Sequence, residues 1–373
     1  MIPFGDLKRE YRELKPHLDA AVRGVCESGW FVLGGKVEQF ESAFARYAGG
    51  GVHAIGVGSG TDALYLSLVS CGVGHGDYVI TVPNTAVPTI SAISLAGAAP
   101  VFVDVDPVSF NMDPALLRQT IKREKARLGV RLKAVMPVHL YGQCADMDPI
   151  LETAREYGLK VVEDACQAHG ALYKGRMAGT MGDYGAFSFY PSKNLGAYGD
   201  GGAVLTGDLD GARRLVMLRN YGQRKRYYHK IIGINSRLDE MQAAILLAKL
   251  GLLDVWNRRR RAIAGFYSRA ITNSRVTKPS VMPYGGHVFH LYVIRHPDRD
   301  ALVGRLRDGG VGTAIHYPVP VHLQEAYAEL GYGEGSFPAS ERLAGEIVSL
   351  PVFPQLSDEE LAGVADVVNG FEA

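Results

Sequence analysis

The sequence predicts an α/β protein: a large domain built on a mostly parallel sheet, followed by a smaller α+β domain. Three observations carry that expectation. Between residues 53 and 163, short apolar runs alternate with helical stretches, the pattern of parallel strands joined by crossover helices. The chain has 373 residues, too many for one compact core, so two domains are expected. After about residue 257 the alternation stops, and one strand pattern is followed by three helical ones. The expected division is residues 1–250 for the large domain, with an N-terminal helical segment, and 251–373 for the small one.

Bulk properties narrow the function classes. Lys plus Arg number 40 against 39 Asp plus Glu, a formal net charge of +1, so no global field draws the chain to nucleic acid or an anionic membrane. No apolar run is long enough to span a bilayer. Cys26, Cys71, Cys144 and Cys166 form no CxxC pair and no metal-finger spacing, which reads as reduced cysteines. Met1 to Asp6 lacks the basic segment and apolar core of a signal peptide. The expectation is a cytoplasmic protein without a metal site.

In chain order, residues 16–28 and 36–48 read as amphipathic helices separated by the glycine cluster Gly29 to Gly35. That cluster lacks the Gly-Lys-Ser/Thr ending of a P-loop, so it is no phosphate loop. The strand His53 to Val57 is followed by Gly58-Ser59-Gly60-Thr61-Asp62 and an apolar helix from Ala63. A glycine-rich turn at a helix N-terminus offers free N–H groups and the positive dipole end to an anion. It is equally the composition of an ordinary N-cap. Further strands are expected near 78–82, 100–104, 133–138 and 159–163, with helices near 84–96, 113–126 and 147–157. Asp104 and Asp106 at one strand tip, with no third ligand, read as solvated or capping residues.

The stretch 159–206 carries the chemistry. The apolar run from Leu159 ends in Glu163 and Asp164, at the carboxyl end of a strand where ligands of such sheets bind. A second β-rich run, Ala186 to Tyr190, leads through Pro191-Ser192 to Lys193. An amine can form a Schiff base with an aldehyde, and pyridoxal phosphate (PLP) is an aldehyde on a pyridine ring. Its ring withdraws electrons while the nitrogen stays protonated, which a carboxylate beside that nitrogen favours. Lys193 and Asp164 suit these two roles. Alone, an Asp and a Lys at strand ends are more often a salt bridge or solvated tips.

Beyond this stretch, Gln223 to Lys230 interleaves cations with aromatics, a solvated face or a weak nucleic-acid signal on a neutral protein. A long helix is expected from near Ser236, with Leu238, Met241, Ile245, Leu252 and Trp256 as its buried stripe. Arg258 to Arg261 read as a solvated surface. His287 to His296 reads as a strand of the small domain, with helices near 299–308, 338–348 and 357–370. In His316-Tyr317-Pro318-Val319-Pro320-Val321-His322 the prolines make a rigid loop.

EDACQAHGA followed by FSFYPSKNLGAYGDGGA resembles the cofactor signature of the DegT/DnrJ/StrS family of sugar aminotransferases, PLP enzymes with the aspartate aminotransferase fold (fold type I). The likeness continues collinearly through FGDLKREY, SGTDAL, HLYG, NYG, INSRLDEMQAA and HYPVPVH, over nearly the whole chain. It implies a seven-stranded sheet in the large domain, with Lys193 and Asp164 as the catalytic pair. It implies that Gly60, Thr61 and Ser188 hold the cofactor phosphate and that Gln167 reaches the ring oxygen. Asn235 is implied to contact the phosphate held by a partner chain, in a homodimer with shared active sites, with the loop around 223–230 reaching across. Trp30, Phe31, Tyr190, His316 and Tyr317 are implied to face the sugar. One departure is Ala86, in Val82-Pro83-Asn84-Thr85-Ala86, where members usually place a ring over the cofactor face. That removes a stacking contact of about 0.5–1.5 kcal/mol.

The implied reaction is transamination of a nucleotide-linked keto-sugar, with L-glutamate as amino donor and pyridoxamine phosphate as the amino-carrying form of the cofactor. FYPSKNLGAYGDGGA is similar to the branch aminating C3 of dTDP-3-keto-6-deoxyhexoses, whereas C4-specific members read FHPxKxxTxGEGG. Two competitors are weaker. A PLP-binding regulatory protein without turnover gives no reason to keep Lys193. A nicotinamide-dependent sugar oxidoreductase requires GxGxxG, which is absent.

Overall fold

A computed structural model of the chain describes residues 1–372. Its centre is a seven-stranded sheet in the spatial order His53–Val57, Gly202–Thr206, Tyr184–Ser188, Lys160–Asp164, Leu132–Val135, Tyr78–Thr81, Ala99–Phe102. Six strands are parallel; Gly202–Thr206 alone runs against both its neighbours. The sheet's apolar runs are buried on both faces, as crossover helices require. Phe40, Phe44 and Leu246 cover one face and Leu64, Leu68 and Ile93 the other. The expected strands and crossover helices of the large domain are present within a few residues of their predicted bounds, whereas of the strand expected at His287–His296 only Tyr292–Arg295 forms one.

Several elements differ from the expectation. Gly202–Thr206 went unread because Gly199 to Gly202 resembles a turn, yet all five residues are buried between two strands. Helix Val87–Leu95 begins three residues later than expected; Pro88 sits in its first turn, where its missing N–H is no loss. The single long helix from Ser236 is two, Glu240–Leu250 and Leu253–Ala270, separated at Gly251. The helix expected at 338–348 ends at Glu346, and Ile347–Leu350 forms a strand antiparallel to Tyr292–Arg295. A short apolar run after a helix cannot be told from its last turn by periodicity alone.

The two-stranded pair Tyr292–Arg295 and Ile347–Leu350 packs with Ile263, Tyr267, Leu302, Leu306 and Val364 in a second core. The N-terminus joins it: Ile2 bridges Val311 in parallel register. Helix Leu7–Ser28 then runs back to pack on helix Glu240–Leu250. Asp104 caps helix Pro338–Glu346, accepting the Ala339 amide at 2.8 Å and the Ser340 amide at 3.0 Å, so capping is its role here. Among the described residues no helix is long and apolar enough to cross a membrane, and no cluster of metal ligands forms.

Candidate active site

Adjacent residues of a strand point to opposite faces, and this separates the two acids at the tip of Lys160–Asp164. Glu163 is fully buried. It accepts the amides of Gly179 at 2.7 Å and of Met181 and Gly182 at 2.6 Å, and lies 2.8 Å from His139 Nε2. It therefore anchors a loop. Glu163→Ala is expected to cost about 3–5 kcal/mol, because several buried donors lose their acceptor at once. A lowered urea midpoint would register it; an unchanged midpoint would contradict that role.

Asp164 turns the other way. Thr89 donates its hydroxyl to Oδ2 at 2.7 Å and the Cys166 amide donates to Oδ1 at 3.2 Å. The Thr89 hydroxyl is also 2.8 Å from that of Thr85. Sequence reasoning missed Thr89; its signal was its place one helical turn beyond Ala86, in a segment already singled out. Ala86 itself is half-buried at the N-terminus of Val87–Leu95.

Helix Gly60–Ser70 starts beside this strand tip. Ser59 caps it by accepting the Asp62 amide at 3.1 Å, while the Gly60 and Thr61 amides have no acceptor among the described residues. A Cβ on residue 60 would lie 2.5 Å from Ser188 Cβ and 3.1 Å from Cys166 Sγ. Glycine is thus the residue that lets the helix start meet the ends of two strands. Two predicted residues, Gly60 and Ser188, are brought together in this way, with Thr61 next along the helix.

Lys193 sits on a braced loop. Its amide donates to Tyr190 O at 2.9 Å, and the Ala197 amide to Phe189 O at 2.8 Å. Asn194 is buried and donates to Asn257 Oδ1 at 2.8 Å and Val288 O at 3.1 Å. Buried Lys249 donates to Gly196 O at 2.7 Å. The Lys193 amine itself has no hydrogen-bond partner among the described residues, and Lys193 is one of the residues lining a cavity of about 380 Å³. Burial lowers its pKa below the ordinary lysine value, with the charges of Cys166 and Asp164 opposing. Nearby histidines stay neutral for the same reason: burial first, then the charge of Lys193, takes His316 to about 4 and His169 to about 3.

Gln167 and the loop 316–322 close the site. Gln167 Oε1 accepts the Tyr141 amide at 2.8 Å and its Nε2 donates to the Tyr317 hydroxyl at 3.1 Å. The Tyr141 hydroxyl donates to His316 O, and His316 Nδ1 lies 2.8 Å from Ser349 Oγ. Burial pushes Tyr317 up to about 12. Four predicted residues are exposed rather than gathered in: Trp30 at 62%, Tyr190 at 56%, Phe31 at 50%, and Asn235. The arginine run is also corrected. Arg258 and Arg261 are solvated, but Arg260 is buried and borders the Lys193 cavity. It falls on one stripe with Trp256, Ala264 and Tyr267, at spacings of three or four residues, which was its signal in the sequence.

The donor set fits PLP. An unpaired amine of lowered pKa, a buried carboxylate held by two donors, and a helix N-terminus with free amides match its aldehyde, ring nitrogen and phosphate. With this sheet topology, they define a PLP-dependent aminotransferase of the aspartate aminotransferase fold. The DegT/DnrJ/EryC1/StrS aminotransferase family model matches residues 13–369, and the chain belongs to that family. It is 48% identical over 371 residues to the dTDP-3-amino-3,4,6-trideoxy-alpha-D-glucose transaminase of Micromonospora megalomicea, with 97% of each chain covered. It is 44% identical over 373 residues to the "Pleiotropic regulatory protein" of Geobacillus stearothermophilus, covering 99% of this chain and 98% of that one. The crystal structure of S. venezuelae DesV in complex with a ketimine intermediate superposes with a TM-score of 0.94 at 46% identity, covering 99% of this chain and 97% of that one.

Proposed function

We propose that this aminotransferase moves an amino group from L-glutamate to C3 of a dTDP-3-keto-6-deoxyhexose, as a homodimer with shared sites. The observation that carries the chemistry is the buried Lys193 amine, without a hydrogen-bond partner among the described residues and within electrostatic reach of the fixed Asp164 carboxylate. Bound there, PLP supplies an aldehyde for amino exchange and an electron sink. In this reading Lys193 Nζ takes the Cα proton of the donor and delivers it to the neighbouring carbon. Asp164 holds the ring nitrogen positive. The Gly60 and Thr61 amides, with the Thr61 and Ser188 hydroxyls, bind phosphate. Gln167, steered by Tyr141 and Tyr317, presents its amide to the ring oxygen.

His316 and Tyr317 face the sugar from the same chain in this reading, with Trp30, Phe31, Tyr190 and Asn235 acting at the join of two copies. Their exposure supports that arrangement, as does that of Tyr227, Tyr228 and Ile232 on the loop after Tyr221. The division at 250/251 belongs to the same reading, supported by the separate core around Tyr267 and Tyr292. C3 amination rests on the FYPSKNLGAYGDGGA signature and on the name of the Micromonospora relative. A regulatory role has the Geobacillus relative's name in its favour, but gives no account of a buried, unpaired amine near a fixed carboxylate.

The test is a panel of 3-keto and 4-keto dTDP-sugars with L-glutamate, the new nitrogen being located by NMR. Nitrogen at C3 is expected. Nitrogen at C4 would overturn the regiochemistry, and no amination of any sugar would favour the regulatory reading.

A further inference from the structure

The loop that carries Lys193 is tied down by a buried cation that the chemistry above leaves unused. Lys249 is fully buried in the last turn of helix Glu240–Leu250. Its amine donates to Gly196 O at 2.7 Å, lies 2.5 Å from Glu10 Oε1 and sits 4.5 Å from the centroid of the Tyr198 ring. Gln242 stands seven positions earlier, two turns back on the same face of that helix. Its Oε1 accepts the Tyr198 amide at 2.8 Å and its Nε2 donates to Tyr198 O at 3.5 Å. One helix face therefore holds the chain three and five residues beyond Lys193.

The loop passes that hold on to the lysine. A Cβ on residue 196 would clash with Pro191 O, so the ends of the turn 191–196 meet backbone to backbone. Lys193 lies between those ends, its amide on Tyr190 O at 2.9 Å. With no room between Gly196 and Pro191, a shift of one carries the other and the lysine between them. Burial works against the Lys249 cation, and the charge of Glu10, on helix Leu7–Ser28, opposes that effect. A buried ion pair is a weak source of stability, and apolar residues of similar size often hold helices together as well. What the apolar residues would lack is a donor for the Gly196 carbonyl.

We propose that Lys249, paired with Glu10, is a positioning residue: through Gly196 and Tyr198 it aims the Lys193 amine for proton transfer. This rests on the role given to Lys193 above and deepens it.

The test is a double variant, Glu10→Gln with Lys249→Met. It removes the tether to Gly196, yet leaves the net charge near Lys193 unchanged and neither ion buried alone. Its melting temperature should therefore stay close to that of wild type. The glutamate half-reaction, followed by absorbance, should slow by about tenfold to a hundredfold at unchanged half-saturation, since a misplacement of about 1 Å costs that much. A second readout uses the pyridoxamine form, in which Lys193 is a free amine. Its acylation by acetic anhydride is measured against pH by peptide mass spectrometry. Asp164, Cys166, His169, His290 and His316 interact with Lys193 and are untouched by the substitutions. The midpoint should rise toward the ordinary lysine value as the amine leaves its buried place. Gln242→Leu loosens the Tyr198 tether without touching a charge. It should show a smaller effect of the same kind, and carries the test if the double variant melts early. Wild-type rate and labelling midpoint in the double variant, or in Gln242→Leu where the double variant melts early, would overturn the proposal. If borohydride fixes no cofactor to Lys193 in the wild-type protein, the role of Lys193 fails first. If it does, those wild-type values strike this proposal alone.

Discussion

Lys193→Ala is expected to lower transamination by about 10³-fold or more, since it removes the proton carrier and the covalent attachment point together. The fold should survive. The loop is held by Asn194, Gly196 and Ala197 through backbone and buried contacts, none of which uses the lysine amine. The expected result is an unchanged melting temperature with turnover near background. Borohydride reduction of the wild-type holoenzyme, followed by peptide mapping, should find the cofactor on Lys193. Substantial turnover in the variant, or label on another lysine, would refute the assignment. The pH dependence follows from the same burial. Only the neutral amine accepts a proton, and burial favours it. The glutamate half-reaction should therefore rise with pH through a lysine pKa lower than the ordinary value and then level off.

Asp164→Asn is the second large effect. The asparagine can still accept the Cys166 amide, so cofactor binding should persist. What is lost is the negative charge. A carboxylate beside a cation shifts its pKa by about 1–3 units, equivalent to roughly 1.4–4 kcal/mol. Turnover should fall by about 10- to 10³-fold, with a smaller change in the affinity for PLP. Thr89 sharpens the test, because its hydroxyl holds the carboxylate at 2.7 Å. Kinetics equal to wild type in Asp164→Asn would remove the electron-sink argument.

Much of this site was legible because it lies in contiguous motifs. Asp164, Lys193, Gly60 and Ser188 each stand at a strand or helix end that hydrophobic patterning locates. Residues that act from a distance in sequence were harder to find. Thr89 reaches Asp164 across 75 positions, and Arg260 reaches Val352 across 92. Arg260 was hidden further by its neighbours, since a run of four arginines reads as surface until the helix decides which one faces inward. Glu163 and Asp164 looked like one acidic pair, whereas the pleat gives one to a loop and the other to Thr89 on helix Val87–Leu95.

The sequence by itself determined the alternating elements and the class of chemistry, and it singled out the amine and the acid that are proposed to carry it, because periodicity and turn residues act over a few positions. Only the tertiary structure decided that Gly202–Thr206 runs antiparallel within the sheet and that Tyr317 meets Gln167. It also decided which arginine borders the cavity. Those outcomes depend on which distant surfaces pack together. Burial then lowered the pKa of Lys193 and of its neighbouring histidines, since desolvation of a charge is a property of the surroundings rather than of the residue.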